Sequence, residues 1–144
     1  MKVFAGSDHA GFDLKLALLE AMAAAGHEVE DLGTHGREST DYPDYAHRVA
    51  QAVLAHPEAK GLLVCGTGQG MSMAANRHAG VRAALCHDTF SARMARAHND
   101  ANILCMGGRV VGVGLAREVL VAFLGGTFEG GRHERRVAKI EPRR

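Results

Sequence analysis

Short apolar runs alternate along this chain with stretches in which apolar residues recur every three or four positions. The runs have the length of buried strands and lie at residues 2–5, 27–32, 61–65, 81–86 and 103–106. The stretches between them have the spacing of amphipathic helices, as Leu14, Leu18 and Met22 show in the first. Strands that alternate with helices form a parallel sheet covered on both faces. The sequence therefore predicts an α/β fold, a three-layer α/β/α sandwich with a five-stranded parallel sheet of Rossmann-like type.

The chain has the size and composition of one globular domain. Its 144 residues fall within the usual ~100–200 of a single domain, and 47% of them are hydrophobic, which is enough to bury a core. We expect residues 1–144 to form one domain. No apolar run approaches the roughly 18 residues of a membrane span, and the opening apolar residues are too few for a signal peptide. These features favour a cytoplasmic protein without a membrane partner.

Positive charge is concentrated at the end of the chain. The formal net charge is +1, but residues 132–144 contain six Lys or Arg and only two Glu. We expect a last, basic helix at about residues 131–141. A short basic segment is more typical of a solvated helix than of a nucleic-acid-binding surface, and it is also compatible with a small anionic ligand.

The three cysteines, Cys65, Cys86 and Cys105, are odd in number and widely spaced. The sequence contains no Cys-x-x-Cys pair, so it supports neither a disulfide framework nor a structural zinc site. We expect reduced thiols and no bound metal. Cys86 and Cys105 are interpreted as small buried hydrophobic residues, which most free cysteines are.

Polar residues follow several of the predicted strands. Ligands of open parallel sheets bind beyond the carboxyl ends of the strands, so these residues are the candidates for a functional site. We expect them to lie at or near one edge of the sheet. They are Asp8 and His9 after the first strand, Cys65 and residues 66–70 after the third, Cys86, His87 and Asp88 after the fourth, Arg109 after the fifth, and His98, Asn99 and Asp100 at the end of the preceding helix.

The glycine loop (residues 66–70, Gly-Thr-Gly-Gln-Gly) is the most informative of these segments. It is neither a Walker A sequence nor a Gly-x-Gly-x-x-Gly fingerprint. Alternating glycines let backbone N–H groups converge on a phosphate or a reaction oxyanion, although a tight strand-to-helix turn uses the same residues. Cys65 stands directly before the loop, where N–H dipoles stabilise a thiolate suited to proton abstraction or nucleophilic attack. The alternative for Cys65 is a small hydrophobic residue that ends a strand.

Asp8, His9, His98 and Asn99 are weaker candidates when each is taken alone. Asp8 and His9 form an acid/base pair on a turn that we expect to be exposed, where Asp8 is also suited to capping the next helix. His98 lies where a helix ends, beside Asn99, whose side-chain amide is suited to orienting a hydroxyl group. With nine histidines in the chain, a surface or structural role is the alternative for His98.

The basic segment contains two pairs of positive residues at helical spacing. Arg132 and Arg136 are four positions apart, so on a helix they share one face and suit a phosphate dianion. Arg135 and Lys139 form a second such pair. Spacing alone does not distinguish these pairs from each other or from a solvated helix.

Six motifs together resemble those of the type B ribose-5-phosphate isomerase family, which also contains galactose-6-phosphate and allose-6-phosphate isomerases. The match runs from residue 2 to about residue 140, with the motifs in the same order and at comparable spacing. The motifs are SDHAGF at 7–12, TDYP at 40–43, CGTGQGMS at 65–72, HND at 98–100, GRVVG at 108–112 and EGGRH at 129–133.

The resemblance implies the interconversion of D-ribose 5-phosphate and D-ribulose 5-phosphate through an enediolate, a step of the pentose phosphate pathway, without metal or cofactor. It also implies a homodimer or tetramer whose active sites are shared between subunits. Some members of the family lack the cysteine and have a glutamate where Met71 stands in this chain. The sequence thus resembles the cysteine-containing branch.

The resemblance also implies roles at the matching positions. Cys65 is the base that moves a proton between C2 and C1, with Thr67 and the loop N–H groups holding the enediolate oxygens. His98, with Asp8 nearby, assists opening of the sugar ring, and which of the two moves that proton stays open. His9, Arg109, Arg132 and Arg136 bind phosphate. The full set of substrate-binding residues is Asp8, His9, Tyr42, Gly66, Thr67, Gly68, Gln69, Gly70, Asn99, Arg109, Arg132 and Arg136.

Three alternatives to a ribose-5-phosphate isomerase remain at this point. The first is an isomerase of allose 6-phosphate or galactose 6-phosphate, because the sequence does not define the depth of the pocket. The second is a non-catalytic phosphate- or nucleotide-binding module, which needs the glycine loop but not Cys65. The third is a cysteine-dependent hydrolase, which forms a covalent adduct on Cys65.

Overall fold

The computed structural model describes residues 1–142 of the chain. All five of its strands are parallel, in the order β2-β1-β3-β5-β4. The predicted three-layer parallel α/β fold is confirmed. The strands are β1 (Lys2–Ser7), β2 (Glu28–Asp31), β3 (Lys60–Cys65), β4 (Ala83–Leu85) and β5 (Ile103–Gly107), and the helices are α1 (Phe12–Ala24), α2 (Tyr42–Ala55), α3 (Gln69–Ala75), α4 (Thr89–Asn99), α5 (Val113–Leu124) and α6 (Arg132–Val137).

Strand β3 is the central strand because its sequence is apolar on both faces. Leu62, Leu63 and Val64 are completely buried, as expected of a parallel strand between two helical layers. Helices α1, α4 and α5 pack on one face of the sheet, and α2 and α3 pack on the other. The two layers leave the carboxyl ends of the strands open.

Strand β4 is shorter than the predicted strand at residues 81–86. The backbone N–H of Arg82 donates to the side-chain Oδ1 of Asn102 at 2.8 Å, so Arg82 does not join the ladder. At the other end, pairing with β5 stops where Leu85 lies opposite Cys105. Residues 86–88 are therefore free to form a turn at the edge of the sheet.

The three inner strands end at the same level. Ser7 at the end of β1 lies opposite Val64, and Cys65 at the end of β3 lies opposite Gly107 at the end of β5. The turns that follow these strands consequently meet at one edge of the sheet. Helix α4 precedes β5, so its last residues lie at the opposite edge, where the strands begin.

The C-terminal helix is shorter than predicted. The sequence indicates a helix at about 131–141, whereas α6 ends at Val137. Beyond it, Lys139 and Ile140 donate to carbonyls three residues earlier, which is turn rather than α-helical bonding. The Glu141 carboxylate then accepts from the backbone N–H of Gly80 at 2.7 Å, which draws the chain away from the helix axis. Arg143 and Arg144 lie outside the described residues.

Across residues 1–142, none of the helices is long and apolar enough to cross a lipid bilayer.

A buried lysine fastens the segment after β2 to helix α1. The Lys15 side chain is completely buried, and its ammonium group donates to Asp31 Oδ1 at 2.7 Å and to the carbonyl of Thr34. Asp31 Oδ1 also accepts from the N–H of Gly33 at 2.9 Å. A buried charge is tolerated only when it is paired and hydrogen-bonded in this way. Lys15 therefore defines where the long segment toward α2 begins.

Replacing Lys15 by methionine should destabilise the fold by about 2–3 kcal/mol, because the Thr34 carbonyl and Asp31 lose a buried charged donor. Thermal unfolding of Lys15→Met measures the loss. Arg37→Met is the matched control, since the Arg37–Asp13 pair is 74% and 72% exposed and contributes about 0–1 kcal/mol. Equal melting temperatures for the two variants would show that the hydrogen bonds of Lys15 do not contribute this stability.

Candidate active site

Cys65 lies at the end of β3 with its sulfur directed into the glycine loop. The residue is only 4% exposed, and its Sγ accepts a hydrogen bond from the backbone N–H of Gly68 at 3.1 Å. Gly68 has a φ of +80°, a conformation that favours glycine and that aims this N–H back at the sulfur. A donor directed at sulfur favours the thiolate over the thiol, because the anion is the better acceptor.

The glycine loop is too closely packed for a side chain at its last position, and at its first position it lies within ordinary contact distance of a neighbouring side chain. A Cβ at Gly70 would lie 2.5 Å from the Tyr42 ring, so that ring rests directly on the loop. A Cβ at Gly66 would lie 3.4 Å from Nη1 of Arg109, which places the guanidinium above the other end of the loop. Tyr42 and Arg109 thus flank the loop from α2 and from the turn after β5.

Thr67 and Gln69 are exposed members of the loop. The Thr67 hydroxyl oxygen accepts from the N–H of Gln69 at 3.3 Å. Because the oxygen is the acceptor, the hydroxyl proton stays available for a bound oxygen atom. The loop therefore offers a hydroxyl donor in addition to its backbone N–H groups.

The turn after β5 interlocks with the loop. The N–H of Gly108 donates to the Cys65 carbonyl at 2.8 Å, and the N–H of Arg109 donates to the Gly66 carbonyl at 3.0 Å. Arg109 is itself exposed. Backbone bonds thus hold the guanidinium beside Cys65, with the charged end free for an anion.

Asp8 is buried, contrary to the exposed turn that we predicted. It is 6% exposed because its N–H pairs with the Val64 carbonyl at 3.3 Å, which draws the turn against β3. The Oδ1 of Asp8 accepts from the N–H of Gly11 at 3.0 Å. This bond closes the turn that leads into α1. The N-cap of α1 is Gly11, without a side-chain hydrogen bond, so Asp8 does not cap the helix itself.

His9 lies beside the same turn in a defined tautomer. Its Nδ1 accepts from the N–H of Thr40 at 3.2 Å, so the ring proton of the neutral imidazole is on Nε2. The turn of Asp8 and His9 adjoins the loop, since a Cβ at Gly66 would lie 3.7 Å from Cβ of Ala10. His9 is thus a neutral donor at the edge of the site.

Ten of the predicted residues come together at the carboxyl edge of the sheet. They surround an open face beside the Cys65 sulfur and are Asp8, His9, Tyr42, Cys65, Gly66, Thr67, Gly68, Gln69, Gly70 and Arg109.

His98 and Asn99 lie elsewhere, and the expectation of a common edge is wrong for them. Arg132 and Arg136, for which no edge was predicted, lie on α6, whose His133 stacks on His98. His98 and Asn99 end α4, and the chain then enters β5 at Ile103. At about 3.3 Å per residue, the five residues of β5 separate the two edges by roughly 17 Å. The error has a simple cause: the end of a helix that precedes a parallel strand lies where the strand starts.

At this second edge, His98 stacks on His133 of α6. The ring centroids are 4.2 Å apart and the planes differ by 10°. Glu129 Oε1 lies 3.7 Å from Nε2 of His98 and 3.9 Å from Nε2 of His133. Burial, followed by the positive charges of His98 and Arg132, lowers the pKa of His133. The neutral form of the His133 ring is accordingly favoured beside Glu129.

His98, Glu129 and His133 are also the residues with metal-ligating atoms close together, within 4.8 Å of one another. The two imidazole rings are stacked, so their in-plane lone pairs run side by side. A zinc site requires lone pairs that converge on one point. This arrangement therefore suits a shared carboxylate and not a metal ion.

Cys86 and Cys105 are buried thiols, in agreement with their interpretation as small hydrophobic residues. Burial, with a smaller contribution from Asp88, raises the pKa of Cys86 to about 11. Burial also raises the pKa of Cys105. Both stay protonated near neutral pH and lack the N–H donor that Cys65 has.

One further residue at the carboxyl edge, His87, follows a predicted strand, but the sequence assigns it no role. His87, in the turn after β4, accepts at Nε2 from the N–H of Gly107 at 2.9 Å. The sequence places His87 after a strand, but only the structure shows that its ring reaches the neighbouring strand end.

Comparison with known proteins agrees with this site. The family described as Ribose/Galactose Isomerase matches residues 3–140. Ribose-5-phosphate isomerase B of Escherichia coli is 48% identical over 139 residues, which cover 96% of this chain and 93% of that protein. A ribose-5-phosphate isomerase B of Clostridium thermocellum has the same fold, with a TM-score of 0.95, 50% identity and coverage of 97% and 95%.

A second solved structure extends the similarity to a protein with a sugar phosphate bound. Ribose-5-phosphate isomerase B of Mycoplasma genitalium, determined with bound ribulose-5-phosphate, has a TM-score of 0.93 and 41% identity, with coverage of 96% of this chain and 93% of that one. Both the sequence and the fold thus match over nearly the whole length. The chain belongs to the ribose/galactose isomerase family.

Proposed function

We propose that this protein interconverts D-ribose 5-phosphate and D-ribulose 5-phosphate through an enediolate, with Cys65 as the base. The observation that carries the proposal is the hydrogen bond from the Gly68 N–H to the Cys65 sulfur, at the mouth of a loop with further donors. A buried hydrophobic cysteine needs no such donor. A base does, because the bond stabilises the form that accepts a proton.

The chemistry follows from the positions of the donors. The Cys65 thiolate takes the proton from C2 of the open-chain aldose, and the C2–H electrons form the enediolate double bond while charge moves to the carbonyl oxygen. The loop N–H groups and the Thr67 hydroxyl are the donors nearest the developing charge. A proton moves from the C2 hydroxyl to the C1 oxygen of the enediolate, and the Cys65 thiol then returns its proton to C1, which gives the ketose and regenerates the thiolate. No net oxidation occurs and no cofactor is required.

We further propose that a second copy of the chain completes the site. A fully extended five-carbon sugar phosphate, with about seven backbone bonds of roughly 1.5 Å, is shorter than the distance between the two edges. The ring-opening and phosphate-binding residues His98, Arg132 and Arg136 therefore cannot reach a substrate held at Cys65 of their own chain. A homodimer, or a tetramer of such dimers, brings the second edge of one copy to the first edge of the other.

At the shared site, His9 and Arg109 of one copy and Arg132 and Arg136 of the other would hold the phosphate. Tyr42 and Asn99 would lie near the sugar, and His98 beside Asp8 would open the ring. The phosphate is remote from the reacting carbons, so its binding energy positions C1 and C2 against the sulfur.

The proposed base also favours the cytoplasm as the location. Cys65, Cys86 and Cys105 are all free thiols. A thiol that must be deprotonated and unmodified is best kept in a reducing compartment.

Replacing Cys65 by alanine should lower kcat by about 10³-fold, because general-base catalysis contributes roughly 10²–10⁴-fold. Binding of ribulose 5-phosphate, measured by calorimetry, should change by no more than about threefold, since the donors of the loop remain. Turnover that survives in Cys65→Ala would contradict the base assignment. A protein that binds sugar phosphate but is inactive even as wild type would be the non-catalytic module.

The C-terminal segment contains two pairs of basic residues, Arg132 with Arg136 and Arg135 with Lys139, which allow a matched comparison of phosphate binding. The double variant Arg132→Gln/Arg136→Gln should raise the KM for ribose 5-phosphate by about 100-fold, because each charged hydrogen bond contributes roughly 1.5–3 kcal/mol. Arg135→Gln/Lys139→Gln removes the same charge from other positions and should leave the KM within about twofold. Equal effects of the two would show that only net charge matters.

Mixing two inactive variants tests whether the site is shared. Cys65→Ala and His98→Asn are defective at opposite edges of the sheet, so a mixed dimer has one intact site and one doubly defective site. Random mixing after denaturation should restore about one quarter of the wild-type activity. Cys65→Ala mixed with Cys65→Ser should restore none. Failure of the first mixture to exceed the second would place the whole site on one chain.

Initial rates on ribose 5-phosphate, allose 6-phosphate and galactose 6-phosphate distinguish the substrates. We expect kcat/KM to be highest for ribose 5-phosphate, because relatives that match this chain over nearly their whole length bear that name. Absence of activity on the five-carbon substrate, with turnover of a six-carbon one, would assign the protein to the other branch of the family.

A further inference from the structure

His87 makes a contact at the carboxyl edge that the isomerisation chemistry does not use. The residue is half-buried in the turn after β4, and its Nε2 accepts from the backbone N–H of Gly107 at 2.9 Å. Pairing of β4 with β5 ends at Leu85 and Cys105, so this N–H lies beyond the last paired residue of β4. The imidazole takes the place that a strand carbonyl would otherwise have. Without it, a buried N–H at the end of β5 would lose its acceptor.

The Met106–Gly107 peptide, whose N–H bonds to His87, packs directly against the glycine loop. A Cβ at Gly107 would lie 2.6 Å from the carbonyl carbon of Thr67, so the two backbones are in direct contact. A Cβ at Gly68 would lie 2.8 Å from the carbonyl carbon of Met106. The Met106–Gly107 peptide therefore lies against the part of the loop that donates to Cys65.

The same residue also begins the turn that carries Arg109. The Gly107 carbonyl accepts from the N–H groups of Val110 and Val111 at 3.0 and 3.1 Å. Arg109 lies inside this turn, with its own N–H on the Gly66 carbonyl. A shift of Gly107 would thus move the loop donors and the guanidinium together.

We propose that His87 is a positioning residue of the active site: its neutral ring holds Gly107 in place, and through Gly107 it holds the glycine loop and Arg109. The proposal rests on the functions proposed for the loop and for Arg109. His87 itself contacts neither Cys65 nor the substrate in this account. Its effect is carried by one backbone N–H.

The contact requires the unprotonated form of Nε2, because a protonated nitrogen would be a donor that faces another donor. Asp88, next in the chain, is exposed, and Cys86, which precedes His87, is a buried, uncharged thiol. Within residues 1–142, His87 Nε2 is the acceptor that the structure gives to the Gly107 N–H.

Two substitutions of His87 distinguish the effect of the hydrogen-bond acceptor from the effect of side-chain volume. Glutamine at position 87 keeps an acceptor at similar reach but does not titrate, whereas methionine keeps the volume without a comparable acceptor. We expect His87→Met to lower kcat/KM for ribose 5-phosphate by about tenfold at pH 8, the effect of one buried hydrogen bond. We expect His87→Gln to retain at least about half of the wild-type value at that pH.

Rescue by the conservative variant gives the readout that a merely structural role would not move. The loss of kcat/KM in His87→Met should be largely restored in His87→Gln, because the two side chains differ in the acceptor and not in reach. The exposed His56, at the C-terminal end of α2, supplies the control: His56→Met and His56→Gln should have equal kcat/KM. Thermal melts identify any variant that loses activity by unfolding, and in that case the kcat/KM of His87→Gln decides.

Wild-type kinetics in His87→Met would overturn the proposal. Equal loss in the glutamine and methionine variants, with unchanged melting temperatures, would also overturn it. Failure of the proposed function is a different result, because the wild-type protein would then show no activity on ribose 5-phosphate.

Discussion

The parallel pairing of β1, β3 and β5 is the constraint on which the site depends. Because Ser7 lies opposite Val64 and Cys65 opposite Gly107, three turns leave the sheet at one level and bond to one another through their backbones. Glycines occupy the closest contacts, since a Cβ at Gly107 or Gly108 would collide with the neighbouring turn. The sulfur, the N–H donors and Arg109 are therefore positioned by the sheet and not by flexible side chains.

The same topology divides the residues of the family motifs between two edges. A helix that leads into a parallel strand must end where that strand begins, which places His98 and the α6 arginines far from their own Cys65. In the proposed dimer, each chain would consequently contribute one half of each of two sites. The stacked rings of His98 and His133 and the shared Glu129 give the second half its own preorganised geometry, independent of the sheet edge that it would face.

Much of this arrangement follows from the sequence. The strand order of a doubly covered sheet, the end of β3 at Cys65 and the loop after it are predictable because apolar runs and glycine spacing depend on local residues. The burial of Asp8 is not predictable in this way, since it results from a bond to Val64 on another strand. The role of His87 depends on β4 ending two residues before it. The length of α6 depends on Glu141 bonding to Gly80, which is distant in sequence.

The position of His98 is predictable from the order of elements alone, because a helix that precedes a parallel strand ends where that strand begins. The sequence places His98 and Asn99 among the candidates, but the edge assigned to them is wrong. Resemblance to a family identifies which residues matter, and topology decides on which chain they act. The two kinds of reasoning are needed together.

A crystal structure with an enediolate mimic that carries a terminal phosphate tests the central claim most directly. The account predicts that the Cys65 sulfur lies within about 3.5 Å of the atoms that replace C1 and C2, the separation of a near-attack geometry. It also predicts that the phosphate contacts Arg132 and Arg136 of a second copy. A mimic whose reactive end lies beyond about 6 Å from that sulfur, or whose phosphate is held only by the chain that supplies the sulfur, would contradict it.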